Sequence, residues 1–415
     1  MHTISSDILV DIAQCYGTPV WAYDASVIRQ RITSLRAFDV IRYAQKACSN
    51  IHLLQLMRDS GVHVDAVSLG EIERAARAGY NTHQNSSELV FTADLFDRAT
   101  LERVIADKIT VNAGSIDMLE QLGKRSPGHH VWLRINPGFG HGHSHKTNTG
   151  GENSKHGIWH AQLNDALKVI QNYNLNLIGL HMHIGSGVDY AHLERVCEAM
   201  VNCACQINIP FQAISAGGGL SVPYTQNEQA VDIQHYFSLW DGARKRIEKK
   251  IGHTIKLEIE PGLFLIAEAG ALISEVRAVK EMGDNHFVFV DAGFNDLMRP
   301  AMYGSYHHIS FLPENKSNEL KHTIVAGPLC ESGDVFTQNK QTYIEPRMLP
   351  STQVGDYLVF HDTGAYGASM SSNYNSRPLI AEVLIDGAAH RLIRRRQTIA
   401  DLLMLEEELT RKKNI

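Results

Sequence analysis

From residue 40 to residue 263 the chain alternates short apolar runs with stretches whose apolar positions recur at helical spacing. The runs are Ile41–Lys46, Val64–Ser68, Leu89–Ala93, Thr110–Ala113, His130–Asn136, Leu177–His183, Phe211–Ala216 and Ile255–Glu260. Between them lie sets such as Ile51, Leu54, Leu56 and Met57, or Leu193, Val196, Cys197, Met200 and Val201, which mark one face of a helix. Strands that alternate with helices make right-handed crossovers and a parallel sheet. Eight such units in about 220 residues predict a (β/α)8 TIM barrel, with an open doubly wound sheet as the competing arrangement.

After residue 270 the period changes. Strand-like runs follow one another without long helices: Ala271–Val279, His286–Asp291, Thr323–Gly327, Asp356–His361, Ile380–Ile385 and Arg391–Arg395. Turn residues such as Gly283-Asp284, Gly355-Asp356 and Asp386-Gly387 separate them, which predicts a second, mainly antiparallel β domain. Helical spacing returns at Ile399–Lys412. The run Pro19–Tyr23 reads as a further strand of the β domain, so the barrel is expected to be inserted within it. The expected divisions are 1–27 for the N-terminal segment of the β domain, 28–270 for the barrel and 271–415 for the rest of the β domain.

Composition narrows the function. With 415 residues the chain is too long for one ordinary core. Its formal charge of −6 and the lack of a basic tract beyond Arg394-Arg395-Arg396 give no reason to expect a nucleic-acid partner. No signal peptide is read at the N-terminus. The best apolar run, Gly262–Val276, carries Glu268 and Glu275, so no membrane span is expected. The 6 cysteines lack paired spacing, which points to reduced thiols and a cytoplasmic location.

In a (β/α)8 barrel the chemistry sits where the strands end. Here the ends carry Lys46, the segment His181–Gly187, the triplet Gly217-Gly218-Gly219, and Glu260-Pro261-Gly262. A lysine at a strand end is either a solvent-reaching side chain or an amine tuned for imine chemistry. Consecutive glycines either make a tight turn or let backbone N–H groups approach a phosphate. A carboxylate beside a proline needs a cation, which a structural arginine or a protonated ring nitrogen can supply. Together the set fits pyridoxal 5′-phosphate: Lys46 at the aldehyde, glycines at the phosphate, Glu260 at the ring nitrogen and His183 on the ring face. His181 is expected deeper in the barrel interior.

The stretches YAQKACSN (43–50), VSLGE (67–71), HMHIGSG (181–187), AGGGL (216–220), EPG (260–262), DAGFNDLMRPAMYGSYH (291–307), GPLCESGD (327–334) and GAYGASMSSNYNSRP (364–378) resemble the diaminopimelate decarboxylase family of fold-type III pyridoxal-phosphate decarboxylases. The resemblance runs through nearly the whole chain. It implies decarboxylation of meso-2,6-diaminopimelate to L-lysine and CO2 by a head-to-tail homodimer with shared sites. By resemblance Lys46 is the Schiff-base lysine and His183 the ring-stacking residue. Ser186, Gly218, Gly219, Gly262 and Tyr366 belong to the cofactor site, and Glu260 pairs with the ring nitrogen. Arg299 and Tyr303 match residues that hold the far carboxylate, Glu331 matches a residue near the far amino group, Tyr366 also belongs to the substrate-binding set, and Cys330 matches a proton donor contributed across the dimer. Its neighbours Glu331 and Asp334 are expected to keep that thiol protonated.

One position departs from the family, whose motif continues EPG-Arg; here it is Leu263. Losing one charge-assisted hydrogen bond costs roughly 1.5–3 kcal/mol, or one to two powers of ten in binding. A decarboxylase of another diamino or basic acid, and a cofactor-binding homologue without turnover, therefore stay open at this point. No metal is expected: His141, His143 and His145 alternate, but within a glycine-rich loop that in the family covers the site.

Overall fold

The computed structural model describes residues 4–140, 149–183, 185, 187, 189–312 and 319–411, without the side chains of 408–411. The chain divides into two compact units. One comprises Arg29–Val222 and Gln229–Leu265; the other comprises Met1–Ile28, Pro223–Glu228 and Ile266–Ile415.

Chain order begins in the second unit, with helix α1 (Ser6–Tyr16) and strand β1 (Val20–Asp24). The first unit then supplies β2 (Val40–Ala44), β3 (His63–Ala66), β4 (Leu89–Ala93), β5 (Thr110–Ala113), β6 (His130–Asn136), the short β7 (Ile158–Trp159), β8 (Asn176–His181), β9 (Ala213–Ser215) and β10 (Lys256–Ile259). The order β5-β4-β3-β2-β10-β9-β8-β6 closes through β5–β6 pairing, so eight parallel strands form a barrel and β7 pairs outside it on β6. The strands run close to where the apolar runs predict. They are nearly continuous in burial because helices cover their outer face.

Several of those helices start at a side-chain cap. Ser68, Asp97, Ser115, Asp189 and Asp232 each accept from a backbone N–H of the first turn. Each cap contributes about 1 kcal/mol. At Ser68 the cap is reciprocal, since the Glu71 carboxylate accepts from the Val67 N–H at 2.8 Å.

The second unit continues with β11 (Gly270–Met282), β12 (Asn285–Val290), β13 (Ile309–Leu312), β14 (Leu320–Ala326), β15 (Arg347–Pro350), β16 (Tyr357–Phe360), β17 (Ala381–Asp386) and β18 (Ala389–Arg394). The sheet order is β15-β14-β12-β11-β1-β17-β18, and β16 pairs both β11 and β13. Pairing is mainly antiparallel, as expected, but β1–β17 and β12–β14 run parallel. The first of these is possible because β1 and β17 are separated by almost the entire chain rather than by a hairpin. All five residues of β1 are buried, as a central strand requires.

Among the elements of this unit that escape the hydrophobic pattern are α1, β13 and β15. The strands β13 and β15 have four residues each, too few for a period to show. Helix α1 buries only Leu9, Ile12 and Ala13, against Val20, Ala22, Ile273, Val359, Val383 and Ile385. The final helix is Ile399–Arg411. No helix among the described residues is long and apolar enough to cross a membrane.

Candidate active site

At the carboxyl ends of the barrel strands, Lys46 lies in the 3-10 turn Gln45–Ala47 that follows β2. Gly262 follows β10, and an added Cβ there would lie 3.2 Å from the Ala44 carbonyl and 3.4 Å from the Ala47 Cβ. The Ala44 N–H donates to the Pro261 carbonyl at 3.2 Å. The absence of a side chain at Gly262 thus draws the lysine turn and the Glu260 segment together. Lys46 itself is exposed, so of the two readings of a strand-end lysine the side chain is the solvent-reaching one. The 3-10 turn carries it past the strand end, where the barrel no longer covers it.

The glycine triplet closes against the segment after β8. Gly217 has φ 62°, in the left-handed region, and an added Cβ would lie 2.4 Å from the Met182 carbonyl. At Gly218 the clash is 2.5 Å with the Glu260 carbonyl, and at Gly219, φ 98°, it is 2.4 Å with the Gly185 carbonyl. These are backbone atoms and cannot give way, so only glycine permits this approach. The Gly187 N–H donates to the Gly219 carbonyl at 2.9 Å. The resulting cavity is walled by the glycines Gly185, Gly187, Gly218 and Gly219 on one side and by apolar residues including Leu193, Val196 and Trp240 on the other, with Asp189, which caps the helix Tyr190–Gln206, at its edge. Such a backbone cradle at a helix start suits an anion. Ser186 and the loop holding His141, His143 and His145 lie outside the described residues.

His183 accepts from the Gly218 N–H through Nδ1 at 3.2 Å, which leaves its proton on Nε2. Its main-chain carbonyl accepts from the Thr149 hydroxyl at 2.9 Å. Burial first, then the charges of Lys46 and Arg134, push the imidazole well below its ordinary range. A neutral ring is the form that stacks on a heteroaromatic face without desolvating a charge.

Glu260 has a partner that sequence reasoning missed. His181, buried as expected, donates from Nε2 to Glu260 Oε2 at 2.7 Å. Burial alone would raise the Glu260 carboxyl, but His181, Arg42 and Arg134 outweigh it and hold the group below its ordinary value. Asp65, at the end of β3, goes the other way: burial and the Glu260 charge raise it well above the usual range. Two neighbouring carboxyls are thus driven apart, and Glu260 is the one kept ionised. Leu263 is half-buried at the start of the short helix Leu263–Ile266 and brings no charge to this rim; Arg134 is the cation acting on both Glu260 and His183. An amine, a backbone cradle for an anion, a neutral imidazole and an ionised carboxylate are the donor set a pyridoxal phosphate needs, and these residues fit it.

The second unit carries a cluster of its own. Arg299 opens the short helix Arg299–Tyr303, so Tyr303 lies one turn on, at i+4. Arg299 Nη1 donates to the Tyr224 hydroxyl at 2.7 Å, and its guanidinium carbon lies 4.9 Å from the centre of that ring. Tyr224 sits in Pro223–Glu228, the barrel-sequence segment that belongs to this unit. His307 meets the same ring edge-on, with centroids 5.5 Å apart, and bonds the His361 carbonyl through Nδ1 at 2.9 Å. Burial first, then Arg299, push His307 down to about 3, so it contributes no charge beside the arginine. Tyr366 is half-buried at φ 58°, a conformation bulky residues rarely adopt. Cys330 and Glu331 are both exposed, and the Cys330 N–H donates to Asn375 Oδ1 at 2.9 Å. The Asp334 carboxylate accepts from the Phe294 and Leu329 N–H groups, each at 2.7 Å, and so serves to fold the loop.

Comparison with known proteins decides the family. Residues 24–267 match the model of the pyridoxal-dependent decarboxylase, pyridoxal binding domain. Diaminopimelate decarboxylase of Escherichia coli (strain K12) is 64% identical over 408 residues, covering 97% of each chain. The chain belongs to the diaminopimelate decarboxylase family. The Streptomyces coelicolor member is 62% identical over 396 residues, with 95% of this chain and 90% of the relative covered. A crystal structure of a diaminopimelate decarboxylase superposes with a TM-score of 0.94 at 64% identity, covering 97% of this chain and 96% of that one. As a member of this family of pyridoxal-phosphate amino-acid decarboxylases, the chain uses that cofactor. Within the family frame, the barrel unit brings together Lys46, His183, Gly218, Gly219, Glu260 and Gly262, and the other unit carries Arg299, Tyr303, Cys330, Glu331 and Tyr366. The pairing of His181 with Glu260, and any part for Asp65 and Tyr224, were not identified from the sequence. The only local signal for them was position: His181 and Asp65 each end an apolar strand with a polar residue.

Proposed function

We propose that this chain decarboxylates meso-2,6-diaminopimelate to L-lysine and CO2, the last step of lysine biosynthesis. The observation that carries the reading is the 64% identity over 97% of the chain to a diaminopimelate decarboxylase. A structure of the Helicobacter pylori relative, 29% identical over 96% of this chain with a TM-score of 0.87, is described as complexed with L-lysine.

Bound pyridoxal phosphate supplies an electron sink for the charge left when CO2 departs. The chain's residues do the rest. Lys46 would hold the aldehyde carbon, while Ser186, Gly218, Gly219 and Gly262 would accommodate the phosphate and the turn around it. His183 would lie on the ring face, and Tyr366 beside the cofactor. Glu260, kept ionised by His181, holds a proton at the ring nitrogen. Arg299 and Tyr303 bind the far carboxylate and Glu331 the far ammonium, so that only the opposite end of the substrate reacts. Cys330 returns a proton to the carbon that lost CO2.

These roles, and the division at 1–27, 28–270 and 271–415, are part of the proposal. So is a head-to-tail homodimer in which Cys330 serves the partner's lysine, working in the cytoplasm without nucleic acid or membrane. The test is genetic. Expressed in a bacterium lacking diaminopimelate decarboxylase, the chain restores growth without lysine, and its Lys46→Ala form does not. Folded wild-type chain that leaves the strain dependent on lysine would contradict the proposal.

A further inference from the structure

Away from the catalytic residues, α1 and the β17–β18 hairpin bring three unlike donors together. Asp11 and Cys15 stand four residues apart on α1 and so share a face. His390 reaches them from β18, with its Nε2 2.6 Å from Asp11 Oδ2. Cys15 Sγ lies 3.6 Å from Asp11 Oδ1. The three ligand atoms lie within 4.8 Å of one another, and among the described residues this is the one such group. All three residues belong to the same compact unit.

The arrangement is near the dimensions of a coordination sphere: Cys15 Sγ and Asp11 Oδ1 are already at ligand–ligand spacing, and His390 Nε2, now hydrogen-bonded to Asp11 Oδ2, has to draw back by about 1 Å to admit an ion. A zinc ion with bonds of about 2.0–2.3 Å holds tetrahedral ligand atoms about 3.3–3.8 Å apart. The set of thiol, imidazole and carboxylate suits a borderline-soft divalent ion rather than magnesium or calcium. The histidine is oriented for the task. In the ion-free form Nε2–H donates to Asp11 Oδ2; when an ion binds, the ring proton belongs on Nδ1, where the Tyr16 hydroxyl, 3.2 Å away, can accept it, and Nε2 turns its lone pair to the metal. Asp11 and Cys15 are exposed and His390 half-buried, so the group is open to an incoming ion and to a water as fourth ligand.

We propose that Asp11, Cys15 and His390 form a binding site for Zn2+ or a similar thiophilic divalent ion, which fastens the N-terminal helix to the β17–β18 hairpin. On binding, the Sγ–H bond breaks, its proton leaves to solvent and the sulfur pair forms one metal bond; the His390 Nε2–H bond also breaks, that proton passing through solvent to Nδ1, and the Nε2 pair forms another; nothing is oxidised or reduced. His390 and Asp11 are separated by 379 positions, which is why no metal-binding spacing is visible in the sequence.

Equilibrium dialysis of the pyridoxal-phosphate-loaded protein against Zn2+ alone tests this. At about 10 µM free ion the wild type retains one equivalent per chain that Cys15→Ser and His390→Gln lose, a fall of at least about tenfold in affinity. Zn2+ also raises the melting temperature of the wild type and leaves that of Cys15→Ser unchanged. No retained zinc, or the same retained zinc in both variants, would overturn the proposal, the second result placing the ion elsewhere. Because the variants lie outside the residues assigned to decarboxylation, turnover is the control that each remains folded.

Discussion

At the scale of single residues, charge at the site is set by a few buried contacts. Glu260 is kept ionised by His181 and two arginines, and Arg299 is held by a tyrosine. Removing only the Tyr224 hydroxyl, as Tyr224→Phe, frees one edge of the guanidinium that the proposed substrate carboxylate needs. The expected result is a KM for meso-diaminopimelate raised about tenfold, or about 1.4 kcal/mol, with kcat little changed. Steady-state kinetics checks it; an unchanged KM would remove Tyr224 from the account of substrate binding.

Asp296 makes a prediction about pH. Burial raises its carboxyl to about 7, with the Gly293 N–H and Arg377 pulling the other way. The folded state therefore holds this proton more tightly than the unfolded chain does. That contribution is fully present below about pH 4 and is lost as pH rises toward 7. Asp296→Asn abolishes the titration. Its stability relative to wild type should increase by on the order of 2–4 kcal/mol between pH 4 and pH 8, as denaturant melts at both values would show.

At the scale of elements, the glycine turn after β9 is the part with least tolerance. Gly218→Ala places a methyl 2.5 Å from the Glu260 carbonyl, so the turn must move and the anion cradle with it. Cofactor affinity should fall at least about tenfold, read by absorbance titration, while circular dichroism keeps its helix and strand signature. Retained affinity would show that the cradle does not contact the cofactor.

This turn, Lys46 and Glu260 were legible in the sequence because each is a short motif at the end of an apolar strand, and the barrel rule says what strand ends do. His181 with Glu260 and Tyr224 with Arg299 were not. Their partners lie 79 and 75 positions apart, and periodicity reports which face a residue occupies, not which residue it meets. Helix α1 was missed for a related reason: apart from the adjoining β1, its burial comes from β11, β16 and β17, elements distant in the chain.

At the scale of the molecule, the residues assigned to one reaction are split between the two compact units. If Cys330 serves the lysine of a second chain, Lys46→Ala and Cys330→Ala homodimers are each inactive but complement when mixed. Random exchange gives half heterodimers with one intact site each, so about a quarter of wild-type activity should return. No recovery after demonstrated subunit exchange would mean that each chain completes its own site.

The most direct test of the central claim is product release from purified, pyridoxal-phosphate-loaded protein given meso-diaminopimelate, with ornithine, arginine and lysine in parallel. The account predicts equal amounts of L-lysine and CO2 from meso-diaminopimelate alone, with Leu263 lowering affinity but leaving the reaction intact. Release from another of these substrates in its place, or none from any of them with the cofactor bound, would contradict it.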